Sequence, residues 1–370
     1  MPAHDSSESF DKHPSLIIRE RHPFNAGPPP ELLRRAFITP RELFFVRNHA
    51  PVPAIDAADY RLPVKGLAQN ALSLSLDELR RFPKHEVVAT LQCAGNRRDA
   101  MTAIRPVTGE VPWGAEAISN AVWGGARLCD ILDVARVERE ARHVAFLGLD
   151  EIKKKGARFG FGGSIPIEKA LSPEVILAYE MNGEALAPVH GGPLRVMVPG
   201  YIGARSVKWI GEVTLQTDPS DNYYQARSYK LFPPQTTVYD ADWERGLMLG
   251  ELSVNSFITS PVEGAVVEDG TIAVQGYATA GGNRRVERVD LSIDGGATWT
   301  TATLEDDRDA TQSWAWRFWE AQLDLPTGAH TVVARAWDSA ANTQPADAST
   351  IWNFKGYMNN AWPRVTFKVR

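Results

Sequence analysis

The sequence predicts an α+β chain: a mixed α/β domain followed by an immunoglobulin-like β-sandwich. Three observations carry this expectation. At 370 residues the chain is longer than one typical domain, so two cores are expected. Up to about residue 250, short helical and short apolar patterns alternate among many Gly and Pro residues, which punctuate elements and leave irregular connections. Near Leu252 the pattern changes to alternating, β-rich runs separated by turn residues, as in a sandwich of about seven short strands. The expected division is an N-terminal arm at 1–40, the mixed domain at 41–250 and the sandwich at 251–370.

Taken in order, Pro28-Pro29-Pro30 makes the arm stiff and extended. The apolar start of Phe44-Phe45-Val46 reads as a strand leaving through the Pro-bounded turn Pro51-Val52-Pro53. Leu76–Phe82 reads as a short helix, and Leu128–Val134 as another, because Leu128, Ile131, Leu132 and Ala135 share one face. Val87, Val88, Ala89 and Leu91 form a buried strand, as do Val144–Leu149 and Leu194–Val198. The sandwich strands are expected at Thr271–Tyr277, Arg288–Asp294 and His330–Trp337, with Asp294-Gly295-Gly296 as a tight turn. No Cys…Trp…Cys spacing is present, so the sandwich is not of antibody type.

Composition narrows the function. The formal charge is −5, which disfavours non-specific nucleic-acid binding. No apolar run approaches the roughly 18 residues of a membrane helix, and no basic start followed by an apolar core marks a secretory signal. A cytoplasmic location is the default expectation. Two cysteines do not make a disulfide framework.

Cys93 carries the most information. It ends a buried strand and is followed by small residues and a basic pair, in Cys93-Ala94-Gly95-Asn96-Arg97-Arg98. Fixed positive charge beside a thiol favours the thiolate, the form that attacks and binds metal. The residues alone fit equally a buried, inert cysteine. Arg97 and Arg98 would bind an anion, or pair with acids such as Asp99. Phe45, Val46, Arg47, Asn48 and His49 place an arginine fork suited to an oxyanion at the end of an element, or else a solvated surface pair. His190-Gly191-Gly192-Pro193-Leu194-Arg195 and Gly203-Ala204-Arg205-Ser206-Val207-Lys208 combine glycines, cations and a hydroxyl, the composition of an anion-cradling loop without the P-loop spacing. His190 has none of the neighbours a zinc site would need. Tyr229 beside Lys230 would donate a hydrogen bond or lose a proton near a metal-bound oxygen, or simply pack in an aromatic loop. The segment Ile351–Trp362 is aromatic enough to be the last strand of the sandwich.

Together these segments resemble the sulfite oxidase family of molybdenum enzymes, in the haem-free plant and bacterial form, over roughly residues 40–370. The stretches Trp123–Asp130, read as helical, and Leu177–Gly183 are also similar to the family. The resemblance implies a molybdopterin-binding domain, a dimerising sandwich and oxidation of sulfite to sulfate by oxygen-atom transfer. Cys93 would be the protein ligand of molybdenum. Phe45, Val46, Arg47, Asn48, His49, Asp150, His190, Arg195, Ser206, Val207 and Lys208 would bind the pterin and its phosphate. Arg47, Arg98, Trp113, Tyr229 and Lys355 would form the substrate pocket. Lys355 stands where the family usually has arginine, so it keeps the charge and loses the planar fork. No segment before residue 40 is expected to hold haem, so electrons would pass to an external acceptor, oxygen or a cytochrome. The alternatives are a nitrate-reductase-like or other sulfur-oxyanion molybdoenzyme, and a non-catalytic scaffold with a degenerate site. Cys129 is expected in the core.

Overall fold

The computed structural model describes residues 10–154, 156–268, 270–305 and 314–370. Two sheets build the first part. One has the spatial order Gly162–Pro166, His143–Gly148, Ile210–Gln216, Arg61–Gly66, Leu72–Ser75; all its pairings are antiparallel except that of Ile210–Gln216 with Arg61–Gly66. The other runs Glu184–Ala185, Ile176–Met181, Ile118–Arg127, Lys84–Gln92, with Arg195–Met197 also paired to Ile176–Met181. Between them lies a core that joins Leu62, Val64 and Val213 of the first sheet to Leu177 and Val196 of the second.

Two helices close this core, and both follow from local sequence. Leu76–Arg80 starts at Ser75, whose hydroxyl accepts from the Glu78 N–H while the Glu78 carboxylate accepts from the Ser75 N–H. Such a capping box contributes about 1 kcal/mol. Leu128–Ala135 buries Leu128, Ile131, Leu132 and Ala135, the face its spacing predicts. Each large side chain there contributes roughly 1.5–3 kcal/mol through burial. Cys129 falls one position off that face and is half-buried, so it is not the core residue expected. Trp123–Arg127, read as helical, is the end of the strand Ile118–Arg127, where Gly125 and Ala126 pair with Ala178 and Leu177 until the helix begins at Leu128.

The sandwich has nine strands among the described residues, against about seven expected. One sheet is Asn255–Ser260, Gly270–Thr279, Arg317–Leu325, Thr303–Leu304. The other is Val266–Val267, Arg364–Val369, Gly328–Asp338, Val286–Ser292, Thr300–Thr301. The additional strands are two-residue edge pieces, too short to show a period. Val274 and Trp319 pack from one sheet against Leu291, Val332 and Phe367 from the other. The Ile351–Trp362 segment is not the last strand, which is Arg364–Val369; it leaves the 3₁₀ turn Ala348–Ile351 as irregular chain.

The N-terminal arm is packed onto the first part. Ile17–Glu20 and Asn25–Gly27 form a small antiparallel pair, and Leu16, Asn25, Ala26 and Leu33 are buried. Val46 makes a single bridge to Ala26 instead of lying in the expected strand, because the chain from Pro40 to Phe45 is wound into turns. No helix among the described residues is long and apolar enough to cross a membrane.

Candidate active site

The strand Lys84–Gln92 delivers Cys93 to a tight turn. Its N–H donates to the Ala117 carbonyl at 2.9 Å, and its carbonyl accepts from Asn96 N–H at 3.0 Å. The Gly95 N–H approaches Sγ at 3.4 Å. The turn ends at Arg97 in the left-handed region, φ 61°, and the helix Arg98–Ile104 begins. Arg98 lies between two glycines: a Cβ at Gly95 would meet its guanidinium at 2.2 Å, and one at Gly356 would meet its Cγ at 2.6 Å. Glycine at both positions is what lets this side chain thread through.

Cys93 opens onto a cavity of about 680 Å³, counting the part open to solvent. All twelve residues expected at the cofactor line it: Phe45, Val46, Arg47, Asn48, His49, Cys93, Asp150, His190, Arg195, Ser206, Val207 and Lys208. Phe44, Leu91, Phe161, Trp209 and Tyr229 complete its wall. Among the described residues, its deep cations lack carboxylate partners. Lys208 Nζ donates to Asn48 Oδ1 and to the Val189 carbonyl. Arg195 donates to the carbonyls of His190 at 2.8 Å and Ser206 at 2.9 Å, and its buried Nε has no partner. Burial lowers the pKa of Arg195 to about 9. It also lowers Lys208 well below the ordinary lysine value, and Arg195 nearby pushes the same way against Asp150. Asp150 is itself raised by burial, and its Oδ1 accepts from the Phe161 N–H at 2.9 Å.

The arm reaches this wall. Lys12 Nζ donates to the carbonyls of Arg41 and Phe44 and lies 3.1 Å from His190 Nε2. Burial lowers Lys12 to about 7. Asn25 is fully buried; its Oδ1 accepts from Asn48 N–H at 2.7 Å and from Arg47 at 3.4 Å. Neither residue stands out in the sequence, since a lysine and an asparagine in a polar arm carry no periodic signal.

At the other end of Cys93 the residues of the expected substrate pocket divide. Arg47 and Tyr229 line the cavity. Burial works against the Arg47 cation, but Tyr229, Cys93, Tyr357 and Glu110 together raise its pKa. Burial raises the pKa of Tyr229, outweighing the opposing pull of Arg47. Its hydroxyl lies 3.1 Å from His49 Nε2. Burial first, then Arg47 and Lys208, keeps that imidazole neutral. The ring of Tyr357 stacks on Tyr229 with centroids 5.1 Å apart.

Four of the residues singled out in the sequence meet other partners. Lys355 Nζ donates to Glu110 Oε1 rather than standing free for an anion. Trp113 is wholly buried in the apolar cluster that also holds Cys93, Phe44 and Trp123, and does not line the cavity; apolar neighbours draw the indole into the core. Arg97 turns away from Arg98 and donates to Asn255 Oδ1 at 3.0 Å and the Ser256 carbonyl at 3.3 Å, tying the cysteine turn to the sandwich. Arg205, from the cradle-like loop, likewise spends its guanidinium on the Leu249 carbonyl.

A model of the oxidoreductase molybdopterin binding domain matches residues 49–224, and a model of the Mo-co oxidoreductase dimerisation domain matches residues 247–370. Sulfite oxidase of Gallus gallus is 48% identical over 361 residues, covering 95% of this chain and 78% of that one. Sulfite oxidase of Arabidopsis thaliana is 40% identical, covering 98% and 96%. The chain belongs to the sulfite oxidase family. It spans 66% of the mitochondrial sulfite oxidase of Rattus norvegicus, to which it is 46% identical. The sulfane dehydrogenase SoxCD of Paracoccus pantotrophus shares the fold, with a TM-score of 0.80 at 24% identity, over 100% of this chain and 95% of that one.

The cavity of this sulfite oxidase family member fits a molybdopterin on its own chemistry. Buried cations bonded only to neutral oxygens are costly unless a ligand brings negative charge. A phosphate-bearing, dithiolene-bearing cofactor does so, and a thiol stands on the same wall. Sequence reasoning missed Lys12, Asn25, Tyr357 and Glu110. Tyr357 lay in the aromatic segment Ile351–Trp362, where adjacency to Lys355 was the available signal.

Proposed function

We propose that the chain oxidises sulfite to sulfate at a molybdenum cofactor. The observation that carries the reading is the cavity at Cys93: a thiol on the same wall as the cations Lys208, Arg195 and Arg47. Cys93 would ligate molybdenum, and Lys208, Arg195, His190 and Ser206, with Lys12 behind them, would hold the pterin phosphate. When bound, the cofactor supplies the two-electron oxygen-atom transfer. Arg47 orients the anion, since a buried guanidinium fork is suited to an oxyanion. Tyr229 offers a neutral hydroxyl beside it, and the neutral His49 holds that hydroxyl in place. The apolar wall of Phe44, Phe45 and Leu91 limits water near the thiol and strengthens these interactions.

Electrons would pass to an external acceptor, oxygen or a cytochrome, and the sandwich would pair two chains through a two-fold contact. The division at 1–40, 41–250 and 251–370 and the role of each site residue belong to the same proposal. The test is sulfite-dependent ferricyanide reduction by molybdenum-loaded protein, with Cys93→Ser in parallel. Turnover that disappears in the variant is the expected result. Absence of turnover in fully loaded wild-type protein would refute sulfite as the substrate.

A further inference from the structure

Glu110 enters the site from the segment that follows the helix Arg98–Ile104, just after Gly109 at φ 73°. Its carboxylate collects the donors of the anion pocket. Lys355 Nζ donates to Oε1. The Tyr357 hydroxyl donates to Oε2 at 3.4 Å, and Arg98 Nη2 lies 3.9 Å from the same oxygen. The Arg98 guanidinium also lies over the Tyr357 ring, 5.1 Å from its centroid. Side-chain exposures of 13% for Glu110, 14% for Lys355 and 3% for Arg98 remove this group from most solvent screening. Arg98 also donates from Nε to the Lys355 carbonyl and from Nη1 to the Val111 carbonyl. A carboxylate is itself an oxyanion and takes the donors that a tetrahedral oxyanion would take. Arg47 alone of the three pocket cations has no carboxylate within ion-pair distance among the described residues.

We propose that Glu110 is a specificity-determining residue: an internal oxyanion that occupies the Lys355–Arg98–Tyr357 donor set and weakens the pocket's grip on doubly charged anions. Arg47 with Tyr229, which line the cavity, then carries the primary contact. The fixed negative charge repels a dianion about twice as strongly as a monoanion. It favours release of a sulfate-like product over its retention. This deepens the reading of the pocket as a sulfur-oxyanion site and rests on it.

The test is calorimetric binding of sulfate to the molybdenum-loaded protein as wild type, Glu110→Gln and Glu110→Asp, with sulfite kinetics alongside. Glu110→Gln is expected to bind sulfate about tenfold or more tightly, to lower KM for sulfite, and to show stronger salt dependence. Glu110→Asp keeps the charge and should stay near wild type. Unchanged or weaker sulfate binding by a folded Glu110→Gln would overturn the proposal. Binding of sulfate requires no turnover. Failure to oxidise sulfite would therefore count against the proposed activity and leave this inference to be decided by the affinities.

Discussion

Lys208 and Arg195, on the cofactor side of Cys93, give their protons to amide and carbonyl oxygens. Lys355 and Arg98, on the far side, share the carboxylate of Glu110. The two groups are similarly buried and similarly basic, yet only one is neutralised from within. A group that stays bound for the life of the protein can serve as the missing counter-charge, so the cradle needs none of its own. A ligand that arrives and leaves in every cycle cannot, and leaving three cations uncompensated between cycles would be costly. The difference teaches that charge balance inside a site reflects the residence time of what it holds.

Four experiments would break or sharpen this comparison. The largest effect is expected from Lys208→Met or Arg195→Met. Removing one side of a buried charge contact costs about 2–5 kcal/mol, so retention of molybdenum, measured by elemental mass spectrometry after dialysis, should fall ~30-fold or more. Full retention would mean that the cradle does not depend on its cations. Next, Arg47→Met should lower kcat/KM for sulfite by ~100-fold, well beyond any loss of molybdenum. Equal losses would make Arg47 a cofactor residue only.

A smaller effect concerns Lys12, whose folded pKa of about 7 lies below its ordinary 10.5. Between those values the unfolded chain binds more protons than the folded one, so stability must rise with pH in that window. Protein stripped of cofactor should therefore melt at a higher temperature at pH 9 than at pH 7. Lys12→Met should reduce that rise by ~2 °C. Binding of an anionic cofactor should be accompanied by proton uptake at pH 8, seen as a buffer-dependent heat. A melting temperature that falls from pH 7 to pH 9 would contradict the burial argument. The smallest effect is Tyr357→Phe, which removes one hydroxyl from Glu110 and should change sulfate affinity by about 0.5–1.5 kcal/mol.

Much of the cradle was legible in the sequence because its residues sit in short contiguous segments, Phe45–His49 and Ser206–Lys208, beside glycines and at element ends. The helix Leu128–Ala135 was legible because four apolar residues repeat at helical spacing. What stayed hidden depends on folding at a distance. Lys12 meets His190 across 178 positions, and Lys355 meets Glu110 across 245. Chain turns at Pro40–Phe45 override an apolar run that looks like a strand. The neutralisation of Lys355 was invisible because nothing beside Glu110 in sequence distinguishes it from a solvated acid.

The cysteine turn and its far wall are distant in sequence. The Met358 N–H donates to the Ala94 carbonyl at 2.7 Å, Asn359 Nδ2 to the Arg97 carbonyl at 2.8 Å, and Trp352 Nε1 to the Met101 carbonyl at 3.2 Å. Residues 352–359 must therefore be made before the turn around Cys93 can acquire its final shape. Chains build from the N-terminus, so cofactor capture into a rigid site has to wait for that segment. A chain cut before Trp352 keeps its thiol and loses the three bonds that close the turn.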